Sequence, residues 1–222
     1  MSNPAPITLE QLFRHKRPWG QLPHQDAAIM ELEEDLKANP YEVVMRRDRP
    51  WFKTWSVDGK LHDPVTLAKP LVQSFEGCHL TAYPDPGTKG EPWTIGWGST
   101  RHADGRPVRR GETISQAQAD ALLVARLERD VQALASRITG WGGLSINQQA
   151  ALLSFTYNCG THWYGSEGFA TLTRCLQRGL QNDAQELSKV PGALMLYVNP
   201  GGPSEAGLRR RRKAEGALWS AQ

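Results

Sequence analysis

From Ser115 onward the apolar residues Leu122, Leu123, Leu127, Val131 and Leu134 recur at helical spacing, with Arg126, Glu128, Arg129 and Asp130 among the outward positions. The pattern predicts a long amphipathic helix that ends before Gly140. Ser115-Gln-Ala-Gln118 ahead of it matches a capping box, in which a cap hydroxyl and a third-residue amide satisfy opposite orphan N–H groups. The same signature stands at Thr8-Leu-Glu-Gln11 and at Ser145-Ile-Asn-Gln148. After Ser145 the chain from Ile146 to Tyr157 is nearly all small and apolar, which predicts a buried central helix. Two or three further helices are expected from Phe169 onward, the last reading "GLRRRRKAEGALW" after Pro203.

Between Thr81 and Pro107 the pattern changes. Pro84, Pro86, Gly87, Gly90 and Pro92 would break a helix, whereas Tyr83, Trp93, Thr94, Ile95 and Trp97 favour strands, so a small hairpin-built sheet is expected. Residues 1–66 read as a separate, short helical module. An amphipathic helix from about Gln25 to Ala38 carries Ile29, Leu32 and Leu36, and an aromatic-basic stretch, "RRDRPWFKTWS", follows it. Ser56 to Pro70, with Gly59, Pro64 and Pro70, is the expected join. The fold class is therefore α+β: a mostly helical domain over residues 67–222 with a small antiparallel sheet, preceded by the helical module.

Composition narrows the class. A chain of 222 residues, 39% hydrophobic, can bury one real core and carry a smaller appendage. No apolar run approaches the roughly 18 residues of a membrane span, and the N-terminus lacks the charged-then-apolar order of a signal peptide. Synthesis in a cytoplasm is expected. Cys78, Cys159 and Cys175 show no CxxC spacing, and the six histidines show no HxxxH or HxH, so neither a metal site nor a cofactor is expected.

The net charge of +3 is uneven: residues 1–66 hold 9 Lys and Arg against 10 Asp and Glu, which leaves 17 against 13 for residues 67–222. Such an excess suits an anionic polymer, nucleic acid or bacterial wall. The run Arg209 to Lys213 invites the nucleic-acid reading, but no zinc finger or RNA-binding aromatic signature accompanies it. A solvated or wall-facing basic surface is the expectation, with no nucleic-acid partner.

Glu76 and Asp85 are the residues with the clearest chemical potential. Glu76 follows Leu71, Val72 and Phe75 and precedes Gly77, so it is expected at the end of a short helix with its carboxyl partly desolvated, which would favour the protonated acid. Asp85, in a Pro-Asp-Pro-Gly turn, should stay solvated and ionised. Two carboxyls in contrasting environments across a cleft can cleave a glycosidic bond, one protonating the leaving oxygen while the other positions water or attacks. Thr94 could hold that water. The glycines of "TIGWG" would then allow close approach of a polymer, and Trp93 or Trp97 could stack on it.

Glu76-Gly77, Leu80, Ala82-Tyr83-x-Asp85 and Thr94-Ile95-Gly96-x-Gly98, followed by "ALLSFTYNCG" and the terminal "GLRRRRKAEGALW", together resemble the phage-type lysozyme family of endolysins over residues 67–220. The resemblance implies a two-lobed muramidase with Glu76 as general acid, and with Asp85 and Thr94 positioning the attacking water. It also puts Tyr157 and Asn158 on the saccharide-binding wall. Two departures stand out: the Asp85–Thr94 connection is longer than the family's usual one, and Ser99 stands where many relatives have histidine. The resemblance further implies peptidoglycan as partner, a holin for membrane passage, a monomer, and action in the periplasm. Two other readings remain open, a non-catalytic peptidoglycan-binding protein on the same fold and the same activity carried in a phage tail. Trp51, Phe52 and Trp55 could serve wall binding, internal packing or docking to a virion component.

Overall fold

The computed structural model describes residues 43–44, 54–55, 61–84, 88, 90–181 and 183–221. The expected helix over Gln25–Ala38, the Thr8 capping box, Trp51, Phe52 and Asp85 lie outside them. The chain divides into two units, Met1–Asp63 and Pro64–Gln222. In the first, three short strands, β1 (Val43–Val44), β2 (Thr54–Trp55) and β3 (Leu61–His62), form an antiparallel sheet in the order β1-β2-β3. Val43 pairs with Trp55, and Thr54 with His62. Thr54 and Trp55 of the aromatic-basic stretch, one β-branched and one aromatic, thus lie in a strand.

The second unit is mostly helical. Helix α1 (Pro64–Phe75) starts on a proline, whose fixed φ and missing N–H suit a first turn. Strands β4 (His79–Pro84) and β5 (Trp93–Gly96) pair antiparallel, Tyr83 opposite Thr94 and Pro84 opposite Trp93, with an irregularity between His79 and Tyr83. Ala82 and Ile95 of the hairpin share a small core with Val108 and Leu122, with Trp93 and Ile114 packed on it. This is the sheet expected from the Pro- and Gly-rich stretch.

Helix α2 (Gln116–Arg137) and helix α3 (Ile146–Cys159) both start with complete capping boxes, Ser115 with Gln118 and Ser145 with Gln148. The α2 stripe Leu122, Leu123, Leu127, Val131 and Leu134 is buried as expected. Asp130 differs. It is buried too, because it sits three residues past Leu127 and four before Leu134, on the edge of the stripe, and Arg126 Nε lies 3.7 Å from its carboxylate. Burial pushes the Asp130 carboxyl above its usual range, against the pull of Arg126 and then of Arg129.

Helix α3 is the centre of the unit: every residue from Gln149 to Tyr157 is buried. Ala150, Ala151 and Ser154 keep its surface shallow, and α1, α2 and α7 (Glu205–Ser220) pack around it. Between α3 and α7 come α4 (Ala170–Gln181), α5 (Ala184–Leu187) and α6 (Val190–Leu194). The arginine run lies on α7 as predicted, but it is not a surface patch throughout. Arg211 is 4% and Arg212 0% exposed, because both face α3 and carry buried partners. Among the described residues no helix is long and apolar enough to cross a membrane.

One close approach sets the α4–α5 corner. A Cβ built on Gly179 would sit 2.5 Å from Leu187 Cδ2 and 3.1 Å from the Leu187 backbone nitrogen. Gly179→Ala is therefore expected to destabilise by about 1–3 kcal/mol in spite of alanine's better helix propensity. A thermal melt checks this, and an unchanged or raised midpoint would mean that the corner is loose.

Candidate active site

Glu76 is positioned by the end of α1. Its backbone N–H still donates to the Val72 carbonyl at 3.0 Å, so it completes the last turn, and Gly77 then releases the chain toward β4. Its side chain is 27% exposed, open enough to meet a ligand. One carboxylate oxygen accepts a hydrogen bond from Arg211 Nη1 at 2.6 Å. The partner is 135 residues away in sequence, and no local pattern announces it.

Arg211 is itself held on every side. Its Nη2 donates to the Ser154 carbonyl at 3.0 Å and its Nε to Glu215 Oε1 at 3.2 Å. The guanidinium also lies 5.7 Å from the centre of the Phe75 ring. Glu215 is fully buried; the Ser154 hydroxyl donates to its Oε1 at 2.9 Å, and Arg212 Nη1 lies 3.0 Å from Oε2 as an ion pair without hydrogen-bond alignment. Burial pushes the Glu215 carboxyl up, and Arg212 and then Arg211 pull the other way.

Thr94 lies in β5, 8% exposed, opposite Tyr83 of β4. Tyr157 ends the buried run of α3, and its hydroxyl donates to the Trp97 carbonyl at 2.6 Å, fastening the sheet lobe to the central helix. Arg126 caps the ring face at 3.8 Å from the centroid and donates to the Tyr157 carbonyl at 3.0 Å. Asn158 is exposed, and its Oδ1 accepts from Arg212 Nη2. Arginine can only donate, so this contact fixes which way the amide faces and leaves its NH2 on the opposite side.

Trp97 has a second tether. Its indole N–H donates to Asp120 at 2.8 Å, and Asp120 also accepts from Lys69 (3.0 Å), Gln73 (3.2 Å) and Gln116 (2.9 Å). The bonds from Trp97 and Lys69 hold the Asp120 carboxyl below the usual carboxylate range. Sequence reasoning passed over Asp120. Trp93, considered for stacking, packs on the sheet-lobe core, with Arg110 at 6.0 Å from its ring centre. Gly96 (φ +63°) and Gly98 (φ +103°) have conformational reasons to be glycine, and a Cβ on Gly96 would meet that of Ala119 at 3.2 Å.

A hollow of about 390 Å³ opens elsewhere, between α4 and α6, lined by Arg174, Arg178, Glu186 and Lys189 among others. None of Glu76, Thr94, Tyr157 and Asn158 lines it.

A mostly helical lobe with a small two-stranded antiparallel sheet fastened beside its central helix defines a lysozyme-like fold. The chain belongs to the phage lysozyme family, whose model matches residues 73–215. It is 34% identical over 154 residues to the endolysin of Lactococcus phage c2, covering 68% of this chain but 57% of that protein. Among solved structures, the endolysin from Escherichia coli O157:H7 phage FAHEc1 is similar, with a TM-score of 0.54 at 26% identity, over 69% of this chain and 90% of that one. The muramidase domain of SpmX from Asticaccaulis excentricus has a TM-score of 0.53 at 28% identity, over 70% and 95% of the two chains. A mutant of P22 lysozyme gives 0.54 at 28%, over 69% and 95%.

The Tyr157 strut yields a pH test. Burial pushes the phenol from 10.0 up to about 12; Arg126 opposes this and the Glu76 carboxylate adds to it. Because the folded value is the higher one, the contribution to stability, about 2–3 kcal/mol, is complete below pH 10 and is lost as pH rises toward 12. Tyr157→Phe lacks that contribution and leaves the Trp97 carbonyl unpaired, at a cost of about 1–3 kcal/mol at neutral pH. Urea denaturation at pH 7 and near pH 11.5 should find the gap between wild type and variant shrinking at the higher pH. A constant gap would contradict the burial of the hydroxyl.

Proposed function

We propose that the chain is an endolysin-like muramidase that hydrolyses the β-1,4 bond between N-acetylmuramic acid and N-acetylglucosamine in bacterial peptidoglycan, causing lysis of the host cell. The observation that carries this reading is Glu76: a part-exposed carboxyl at the junction of the two lobes, fixed from the interior by Arg211 at 2.6 Å in a phage lysozyme chain. Glu76 protonates the glycosidic oxygen as the bond breaks. Asp85, aided by the Thr94 hydroxyl, orients the water that attacks the anomeric carbon from the opposite face, a geometry that inverts configuration. Tyr157 and Asn158 form the cleft wall. Tyr157 acts from beneath by bracing Trp97, and Asn158 presents an oriented amide NH2 to the sugar.

In this reading residues 67–222 are the catalytic domain and residues 1–66 a separate module whose aromatic-basic stretch is a candidate for wall binding. The enzyme is a monomer made in the host cytoplasm that reaches the periplasmic peptidoglycan through a holin. The chain spans 57% of the length of the Lactococcus phage endolysin it matches.

Clearing of purified peptidoglycan, with mass spectrometry of the products, tests the chemistry. Wild type should release muropeptides with reducing-end N-acetylmuramic acid, and Glu76→Gln should be slower by at least about 100-fold, the usual worth of a general acid. Wild-type clearing by Glu76→Gln would end the proposal. A chain lacking residues 1–66 is expected to cut soluble wall fragments at the full-length rate while binding intact walls more weakly. Equal binding would remove the wall-binding role from the N-terminal module.

A further inference from the structure

Four charged side chains follow one another from the cleft into the interior: Glu76, Arg211, Glu215 and Arg212. Glu215 and Arg212 are 0% exposed and Arg211 4%. Guanidinium groups do not give up their proton inside proteins. A cluster with two of them is therefore neutral only when Glu215 and Glu76 both carry charge. Glu215 lies behind Arg211, touches no group that faces the cleft, and has no step assigned to it above. An apolar side chain there would take from Arg212 its carboxylate partner and leave Arg211 with Glu76, and cost alone would explain a carboxylate at this place. The geometry goes further, because the same Glu215 oxygen accepts from both Arg211 Nε and the Ser154 hydroxyl, which fixes the angle at which Nη1 meets Glu76.

We propose that Glu215 is a positioning residue for glycosidic cleavage, which anchors Arg211 from behind and divides its charge so that Glu76 is held in place yet remains able to carry the proton it delivers. The inference rests on the reading of Glu76 as general acid. Without Glu215, the Arg211 guanidinium would direct its whole field at Glu76. A second carboxylate on the far side of that guanidinium opposes its field.

The surroundings supply few competing charges. From α1 the group facing Arg211 is Glu76. From α3 they are Ser154 and, close by, Tyr157 and Cys159, with the α2 residue Arg126 over the Tyr157 ring. Helix α6, which approaches α7 through Pro191 at Gly216, contains no ionisable residue.

The test is the pH dependence of kcat/KM on soluble peptidoglycan fragments, measured with the full chain. Its alkaline limb reports the essential acid. Glu215→Gln keeps the shape and removes the charge, and should move that limb to lower pH by about one unit while kcat falls about tenfold. Ser154→Ala removes a hydrogen bond to the same oxygen without altering charge; it should lower the melting temperature and leave the limb in place. A wild-type limb in folded Glu215→Gln, or an equal shift in Ser154→Ala, would overturn the proposal. Should Glu215→Gln not fold, Glu215→Asp decides: the charge stays but draws back from Nε, so the limb should hold and kcat should drop. A moved limb or an unchanged kcat there would overturn it as well. Full activity in Glu76→Gln is a separate outcome, which would remove the premise rather than the role of Glu215.

Discussion

The structure of the second unit depends on one buried guanidinium. Arg211 is 4% exposed and reaches Glu76, Ser154 and Glu215 with three different nitrogens, so it joins the end of α1, the middle of α3 and the next turn of α7 at a single point. A buried cation left unpaired would cost several kcal/mol, and that penalty dictates the residues around it. Ser154 must be small and polar, since its carbonyl and its hydroxyl both serve the cluster. Gly216, one residue past Glu215, must be small because a Cβ there would meet that of Pro191 at 3.2 Å. The central helix has a shallow, largely apolar surface for the same reason: α1 and α7 have to approach it closely enough for the charges to meet.

Attachment of the sheet lobe follows a different logic, based on partly exposed hydrogen bonds rather than on buried charge. Trp97 sits in the turn after β5 and is held twice, by Tyr157 through its carbonyl and by Asp120 through its indole nitrogen. Asp120 in turn gathers Lys69 and Gln73 from α1 and Gln116 from its own helix. The hairpin is thus referenced to α1, the helix that carries Glu76. In the proposed reaction this common reference would hold the hairpin at a set place relative to Glu76.

Much of the scaffold was legible in the sequence because its signals are local. The Ser115 and Ser145 capping boxes, the α2 stripe and the buried run of α3 are each contained within one helix, and the structure reproduces them. The short hairpin was legible from its proline and glycine punctuation. The arginine run was misread. A run of charges is ordinarily a solvated face, but Glu215 stands four residues after Arg211 and three after Arg212, the spacing at which helical side chains meet. That spacing, on a helix expected to pack on a buried one, was the available sign that two of the five cations turn inward. Asp130 was misassigned by the same habit, as a charge counted outward although its angular position lies beside Leu127 and Leu134. The Glu76–Arg211 pair, and the tether from Tyr157 to Trp97 across 60 residues, had no local signature at all. Such contacts exist only once the chain has folded.

The most direct test of the account is a crystal structure of Glu76→Gln with a muropeptide bound in the cleft. The account predicts that the side chain at position 76 lies within about 3 Å of the glycosidic oxygen, with Arg211 behind it and the Asn158 amide against the sugar. A saccharide bound elsewhere, or one whose glycosidic oxygen lies beyond hydrogen-bond reach of position 76, would contradict the assignment of Glu76 as the acid.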